Sequence, residues 1–399
     1  MIVGLAAAAV AAGLAARGGG PDDAAVRSAP TTTVCSPGDA PCSTGRDGRG
    51  PGDVPHTGGA RTTTTADRAP RAAADDDSVG TPADAGQSGD TGATPTTLAS
   101  APARTLGSVS VNGPDGSPCP GASTCTSLTV RCAGSADAAD AVIAQRPALG
   151  APLGMVVLLS GELGTDWWTS GGPGAELLTQ LAGDHLATVQ VRWTNGWLTA
   201  ATGEPAGPAS LACRPATILQ WIHDALYAPL DISGDISGGV SCGFCVTGNS
   251  GGASAAIYAT SLYPLRGVDA VIASSGPTLS ALADGCLHAA GREDLWYEDS
   301  AALTVDRSYG FPDGGPCLAH DGAFALAWDR DQVDATTAGP VAADRVLVIL
   351  GLRDQTSAPA HATAYLAWSG APMERIPDME HTIQLSPAGL RALRAALTS

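Results

Sequence analysis

Three residues of this chain have the types and the order needed for nucleophilic catalysis at a carbonyl: Ser250, Asp354 and His381. Ser250 stands in Gly248-Asn249-Ser250-Gly251-Gly252, directly after the apolar run Phe244-Cys245-Val246-Thr247 and directly before a small-residue helical stretch from Ser254 to Leu262. A strand, a cramped turn and a helix in that order lift a hydroxyl to the rim of a sheet. Glycines two positions either side let the neighbouring backbone close in, and the helix N-terminus favours negative charge. In a chain with 51 glycines the pentapeptide is weak by itself, and it occurs a second time as Gly239-Val240-Ser241-Cys242-Gly243. Ser241 precedes the apolar run instead of ending it, so context selects Ser250 as the nucleophile.

A serine hydroxyl needs a base, and the base needs an acid that fixes its tautomer. Of the seven histidines, His56 falls in a low-complexity segment, His223 and His361 in expected helices, and His288 and His320 in an irregular stretch. His185 precedes a strand, at the wrong edge of a sheet for catalysis. His381, in Pro377-Asp378-Met379-Glu380-His381-Thr382, lies between the last strand and the last helix. Asp354 follows the buried run Val346-Leu347-Val348-Ile349-Leu350 and is the expected acid, with Asp329 and Asp331 as lesser candidates.

These side chains require a frame of buried strands. Strands are expected at 108–111, 128–132, 155–159, 187–193, 244–247, 268–273, 346–350 and 374–376. Helices are expected at 175–182, 215–227, 254–262, 359–368 and 387–397. Continuous Val/Ile/Leu strands alternating with helices predict an α/β fold: a mostly parallel central sheet covered by helices on both faces, with its site at the carboxyl ends of the strands. Between 280 and 341 the alternation lapses, and the length of that stretch points to an inserted lid or cap over a cleft.

The order Ser, Asp, His, each at a strand end, resembles the α/β-hydrolase superfamily, in particular secreted bacterial esterase-like members, over about 128–399. The resemblance implies an oxyanion hole of two backbone amides. One is Gly251, next to the nucleophile; the other is expected in Ser160-Gly161-Glu162-Leu163-Gly164, at Glu162. A competing stretch, Ser170-Gly171-Gly172-Pro173-Gly174, resembles the His-Gly-Gly-Pro-Gly of proline iminopeptidases and supports amide hydrolysis as the alternative to ester hydrolysis. A binding module that keeps the fold without catalysis is a further alternative. Trp168, Trp193 and Trp197 fall in loops beside the expected cleft, where they would wall an acyl group or a ring; ordinary packing is the competing reading.

Composition bounds the rest. The net charge of −18 argues against nucleic acid as a partner. Lysine is absent, arginine supplying all 21 basic side chains, so a phosphate-binding Gly-Lys-Ser loop, a Schiff-base lysine and a Ser-Lys dyad are excluded. No spacing of histidines and carboxylates forms a recognisable metal site, and the chemistry calls for no cofactor. Residues 1–17 form an apolar segment of signal-peptide length, too short to span a bilayer comfortably. Residues 18–104 read as a disordered Pro/Thr/Gly/Ala-rich linker suited to a surface tether, and the catalytic domain as 105–399. Ten cysteines in such a chain suggest disulfides and export to the cell surface or beyond. Their pairing is open: Cys286 with Cys317 is one local option, and Cys242-Gly243-Phe244-Cys245 is read as a structural disulfide site, with Cys213 a candidate partner.

Overall fold

The computed structural model describes residues 104–399 apart from 134, 170, 171, 231, 233–241 and 340. The expected signal segment, the linker up to 103, His56, Cys35, Cys42 and Ser241 lie outside the described residues. Nine strands form one sheet in the order β1-β2-β3-β5-β4-β6-β7-β8-β9. They are β1 Ser108–Pro114, β2 Thr124–Arg131, β3 Ala139–Arg146, β4 Gly154–Leu159, β5 Leu186–Trp193, β6 Phe244–Asn249, β7 Ala270–Ser274, β8 Arg345–Gly351 and β9 Met373–Ile376. The first three are antiparallel to their neighbours, and from β5 to β9 every pairing is parallel. Every residue of β4, β6 and β7 is buried, which is why these strands are apolar without alternation.

The two sheet faces carry separate cores. Val156, Leu158, Ile272 and Ile349 pack with Leu177 and Leu181 of α1 (Gly174–Gly183) and Leu393 and Leu397 of α9 (Pro387–Thr398). Met155, Val157, Val246 and Val348 face the opposite way, toward α2 (Pro208–Leu211), α3 (Cys213–Ile222), α4 (Gly251–Leu262) and α8 (Ala358–Ser369). The expected α/β architecture is therefore the observed one. The helix expected over 215–227 ends sooner, at Ile222, and continues as a single π turn, His223–Tyr227.

β3 was not among the expected strands. Its sequence, ADAVIAQR, is rich in alanine, which has little strand preference. Its partners on both sides supply what its own propensity lacks.

The 280–341 stretch is helical and not irregular. It carries α5 (Leu282–Leu287), α6 (Asp299–Ser308) and α7 (Ala325–Asp331), short helices whose Gly and Pro punctuation hides them in the sequence. The fully buried Asp306 carboxylate accepts hydrogen bonds from the backbone N–H groups of Gly315, Cys317 and Leu318 at 2.7, 2.8 and 3.0 Å. Cys286–Cys317 closes the same unit, and the Tyr297 hydroxyl donates to the Thr278 carbonyl at 2.8 Å.

The remaining disulfides among the described residues are Cys119–Cys125, Cys132–Cys213 and Cys242–Cys245. Cys213 is thus joined to Cys132 and is no partner for Cys242 or Cys245, correcting the candidate pairing. The bond fastens the end of β2 to the start of α3, across a sequence separation of 81 that sequence spacing does not reveal.

One buried histidine joins the insertion to α8. His361 is fully buried, its Nε2 donates to the Leu295 carbonyl at 2.9 Å, and its ring stacks on Tyr297 at 4.6 Å. Burial pushes its imidazole down from 6.5 to about 4, against the raising effect of the Leu295 carbonyl. The folded state therefore takes up this proton later than the unfolded chain does as pH falls. Its contribution to stability is complete above 6.5 and is lost progressively down to about 4, by roughly 3 kcal/mol in all. Urea denaturation should show wild type losing about that much more stability than His361→Gln between pH 7 and pH 4. Parallel pH profiles would rule the effect out.

Candidate active site

Ser250 sits between the last residue of β6 and the first of α4, at φ 56° and ψ −117°. A non-glycine residue in this region is strained and must be held by its surroundings. Here the Ser250 N–H donates to the Ser274 carbonyl at the end of β7, 2.8 Å away, while its carbonyl accepts from Ser254 N–H at 3.0 Å. The flanking glycines are there for close approach. A Cβ on Gly248 would overlap the backbone of Gly252, and one on Gly252 would overlap the carbonyls of Leu159 and Ser160. The strand and helix meet more closely than any side chain permits.

The loop after β4 reaches the same point. Glu162 has a left-handed φ of 50°, and a Cβ on Gly251 would overlap its carbonyl. A Cβ on Gly161 would lie 3.7 Å from that of Ser250. The two expected oxyanion residues, Gly251 and Glu162, are thus neighbours beside Ser250. Gly251 opens α4, so its N–H is among those the helix itself leaves unused. Of the competing stretch, Ser170 and Gly171 are outside the described residues, a Cβ on Gly172 would lie 3.2 Å from the Leu385 side chain, and Gly174 begins α1.

Asp354 and His381 follow the ends of β8 and β9, which lie beyond β7 along the sheet from β6. His381 Nδ1 is 2.8 Å from Asp354 Oδ2, with the Asp354 side chain fully buried and that of His381 30% exposed. Asp354 Oδ1 accepts from the Thr356 hydroxyl at 2.8 Å and from the Thr356 N–H at 3.1 Å. Burial pushes the Asp354 carboxyl up, but its bonds to His381 and Thr356 outweigh that and hold it below the usual carboxylate range. An ionised acceptor facing Nδ1 keeps the proton on that nitrogen and leaves Nε2 free to accept one. The two loops press together closely, since a Cβ on Gly351 would overlap the Met379 carbonyl and Arg353 N–H donates to that carbonyl at 3.0 Å. A cavity of about 750 Å³ opens beside the pair, lined by Asp354, Thr356, His381, Thr382 and Leu385 among others.

The other acidic candidates are not at this edge. Asp331 is buried in α7 with the Tyr309 hydroxyl and Arg330, both at 3.0 Å, and Asp329 is exposed on the same helix. Among the described residues no group of three or more histidines, cysteines or carboxylates could hold a metal ion.

The three tryptophans expected to wall the cleft are core residues. Trp168, Trp193 and Trp197 are 2, 3 and 1% exposed. Trp168 packs with α1, and Trp193 and Trp197 pack in the opposite core. Rings so enclosed offer a ligand almost no surface, so packing is the role this structure gives them. The half-buried neighbour Trp167 carries the Arg192 guanidinium 4.5 Å above its ring.

Two residues at the site escaped the sequence reading. Thr356 is bonded to Asp354 and lies 3.2 Å from His381 Nδ1; the Asp-x-Thr spacing of a side-chain turn was its signal. Asn249 accepts a hydrogen bond from Ile383 N–H at 3.2 Å, and nothing in the sequence marks that contact. The insertion comes up to the acid loop, where the Ser357 hydroxyl donates to Glu298 at 3.4 Å.

No family model matches the chain, and no curated protein matches it. Solved structures that resemble it include a Xanthomonas campestris α/β serine hydrolase without a lid, at 16% identity over 70% of this chain and 94% of that one, with a TM-score of 0.37. A Pyrobaculum calidifontis esterase follows at 16% identity, 69% and 84% coverage and a TM-score of 0.37. A 2-hydroxy-6-oxo-6-phenylhexa-2,4-dienoate hydrolase from a Rhodococcus strain follows at 14%, 66% and 94%, with a TM-score of 0.34. At such TM-scores these likenesses carry no argument about what this chain does.

Proposed function

Taking the α/β-hydrolase fold of this chain as premise, we propose that it is an exported serine hydrolase that cleaves carboxylic esters of small molecules through an acyl-enzyme. The observation that carries the reading is the Asp354–His381 pair at 2.8 Å, at the same sheet edge as a serine held at φ 56°. Ser250 Oγ attacks the ester carbonyl carbon while His381 Nε2 takes the hydroxyl proton. The carbonyl oxygen becomes an oxyanion between the Gly251 and Glu162 N–H groups, and preorganised donors of this kind are worth a few kcal/mol each in the transition state. Collapse breaks the bond to the alkoxy oxygen, which leaves with the proton from His381. Water, deprotonated by the same imidazole, then attacks the acyl-Ser250 ester and frees the acid.

Four disulfides among the described residues fit an oxidising compartment, and the 18–104 segment would tether the enzyme at the surface. Among the described residues no helix is long and apolar enough to cross a membrane. The insertion, fastened beside the Asp354 loop, would serve as a cap.

The test combines a panel of p-nitrophenyl esters from acetate to octanoate, a panel of aminoacyl p-nitroanilides, and a fluorophosphonate probe with the adduct mapped by peptide mass. Ester turnover with the adduct on Ser250 is the expected result. Preferential anilide cleavage would make the enzyme an amidase, and a protein inert to every substrate and to the probe would be a binding module.

A further inference from the structure

Asn249 closes β6 immediately before Ser250, and its side chain is buried, 3% exposed. Its Oδ1 accepts a hydrogen bond from the backbone N–H of Ile383, 3.2 Å away and 134 residues along the chain. Its Nδ2 lies against the oxyanion loop, 3.7 Å from where a Cβ on Gly161 would stand. One buried amide therefore meets the His381 segment on one arm and the loop carrying Glu162 on the other, from a backbone position adjoining the nucleophile.

The two sets of contacts on the His381 segment have different consequences. Asp354 Oδ2 and the Arg353–Met379 backbone bond fix His381 relative to the acid. They leave its distance from Ser250 to whatever joins the segment to the elbow. Ile383 lies two residues past His381, is fully buried, and opens the short turn Ile383–Leu385. Its bond to Asn249 is the tie to the elbow. A carboxamide suits the place: it accepts on one arm and carries a donor on the other, without bringing charge beside a developing oxyanion.

We propose that Asn249 is a positioning residue, whose bond to Ile383 N–H sets the spacing between His381 and Ser250; the proposal rests on the triad reading. A general base works only within hydrogen-bond reach of its proton, and small misplacements cost orders of magnitude.

The full-length protein and its Asn249→Ala and Asn249→Leu variants would be compared in kcat, KM, thermal midpoint and the rate of fluorophosphonate labelling at Ser250. Asn249→Leu fills the volume without the acceptor, so it answers the question if the alanine variant does not fold. Loss of the acceptor is expected to lower kcat and the labelling rate together by about 10- to 100-fold, with KM within about threefold. A kcat within twofold of wild type in Asn249→Leu, or a loss confined to KM or to the melting midpoint, would overturn it. Ser250→Ala separates the two levels. Undiminished turnover in that variant sinks the triad and this inference together, whereas an inactive Ser250→Ala beside an unimpaired Asn249→Leu sinks this inference alone.

Discussion

Ser250→Ala is expected to lower kcat by about a millionfold and Asp354→Asn by about ten-thousandfold, with KM little changed in either, and the double variant Ser250→Ala/His381→Ala is expected to be no slower than Ser250→Ala. Without its hydroxyl the chain has no nucleophile for His381 to activate, so removing the base afterwards has nothing left to subtract. Asparagine at 354 acts differently. The carboxylate now accepts from His381 Nδ1 at 2.8 Å and from Thr356 on its other oxygen. An amide –NH₂ turned toward Nδ1 would force that nitrogen to accept, moving the proton to Nε2, where it would point at Ser250 and block deprotonation. Steady-state rates on the best ester of the panel, with circular dichroism to show that each variant is folded, measure all three. Retention of more than about 1% of wild-type kcat in Ser250→Ala would refute the assignment.

The order of Ser250, Asp354 and His381 along one sheet edge was legible because the first two follow strands whose burial the sequence advertises, while β9, before His381, is mostly exposed and is placed by its pairing with β8. Phe244 to Thr247 and Val346 to Leu350 are apolar without interruption, and parallel strands deliver their carboxyl ends to one edge. Once Ser250 is placed by the turn that follows β6, the positions of Asp354 and His381 relative to it follow from topology. The pentapeptide contributed less than its surroundings did.

What was not legible depends on contacts between distant segments or on side-chain direction. Cys132 finds Cys213 because β2 and α3 meet, and Asn249 finds Ile383 because the last loop folds back on the elbow. For Trp193 the sequence did contain the sign of core packing. Val189, Val191 and Trp193 alternate along β5, and all three enter the same core. A residue continuing the inward face of a strand stays inward at the strand's end, so nearness to the site did not make Trp193 part of it. The helices of the insertion were hidden by their brevity, being held by Asp306 and by a disulfide more than by their own propensity.

Gly252→Ala should be strongly damaging, although helical backbone accepts alanine better than glycine. Gly252 has an ordinary φ, so the substitution strains no dihedral and any cost is steric. The new Cβ would overlap the carbonyl oxygens of Leu159 and Ser160. Neither can yield cheaply: Leu159 lies in β4, paired to both β5 and β6, and the Ser160 hydroxyl is anchored to the Asp166 carbonyl at 2.7 Å. To make room, α4 must withdraw from β4, which carries Ser250 and the Gly251 N–H away from Glu162. The expected outcome is a destabilisation of about 4 kcal/mol or more, or failure to accumulate as folded protein, with activity lost in whatever fraction folds. Gly183→Ala supplies the contrast. That residue ends α1 on the surface with nothing within 4 Å of a new Cβ, so the same change there should be neutral or stabilising by up to about 1 kcal/mol. Thermal and urea melts of the two variants decide the matter, since equal effects at the two positions would mean that the close approach of α4 to β4 is not what holds the elbow.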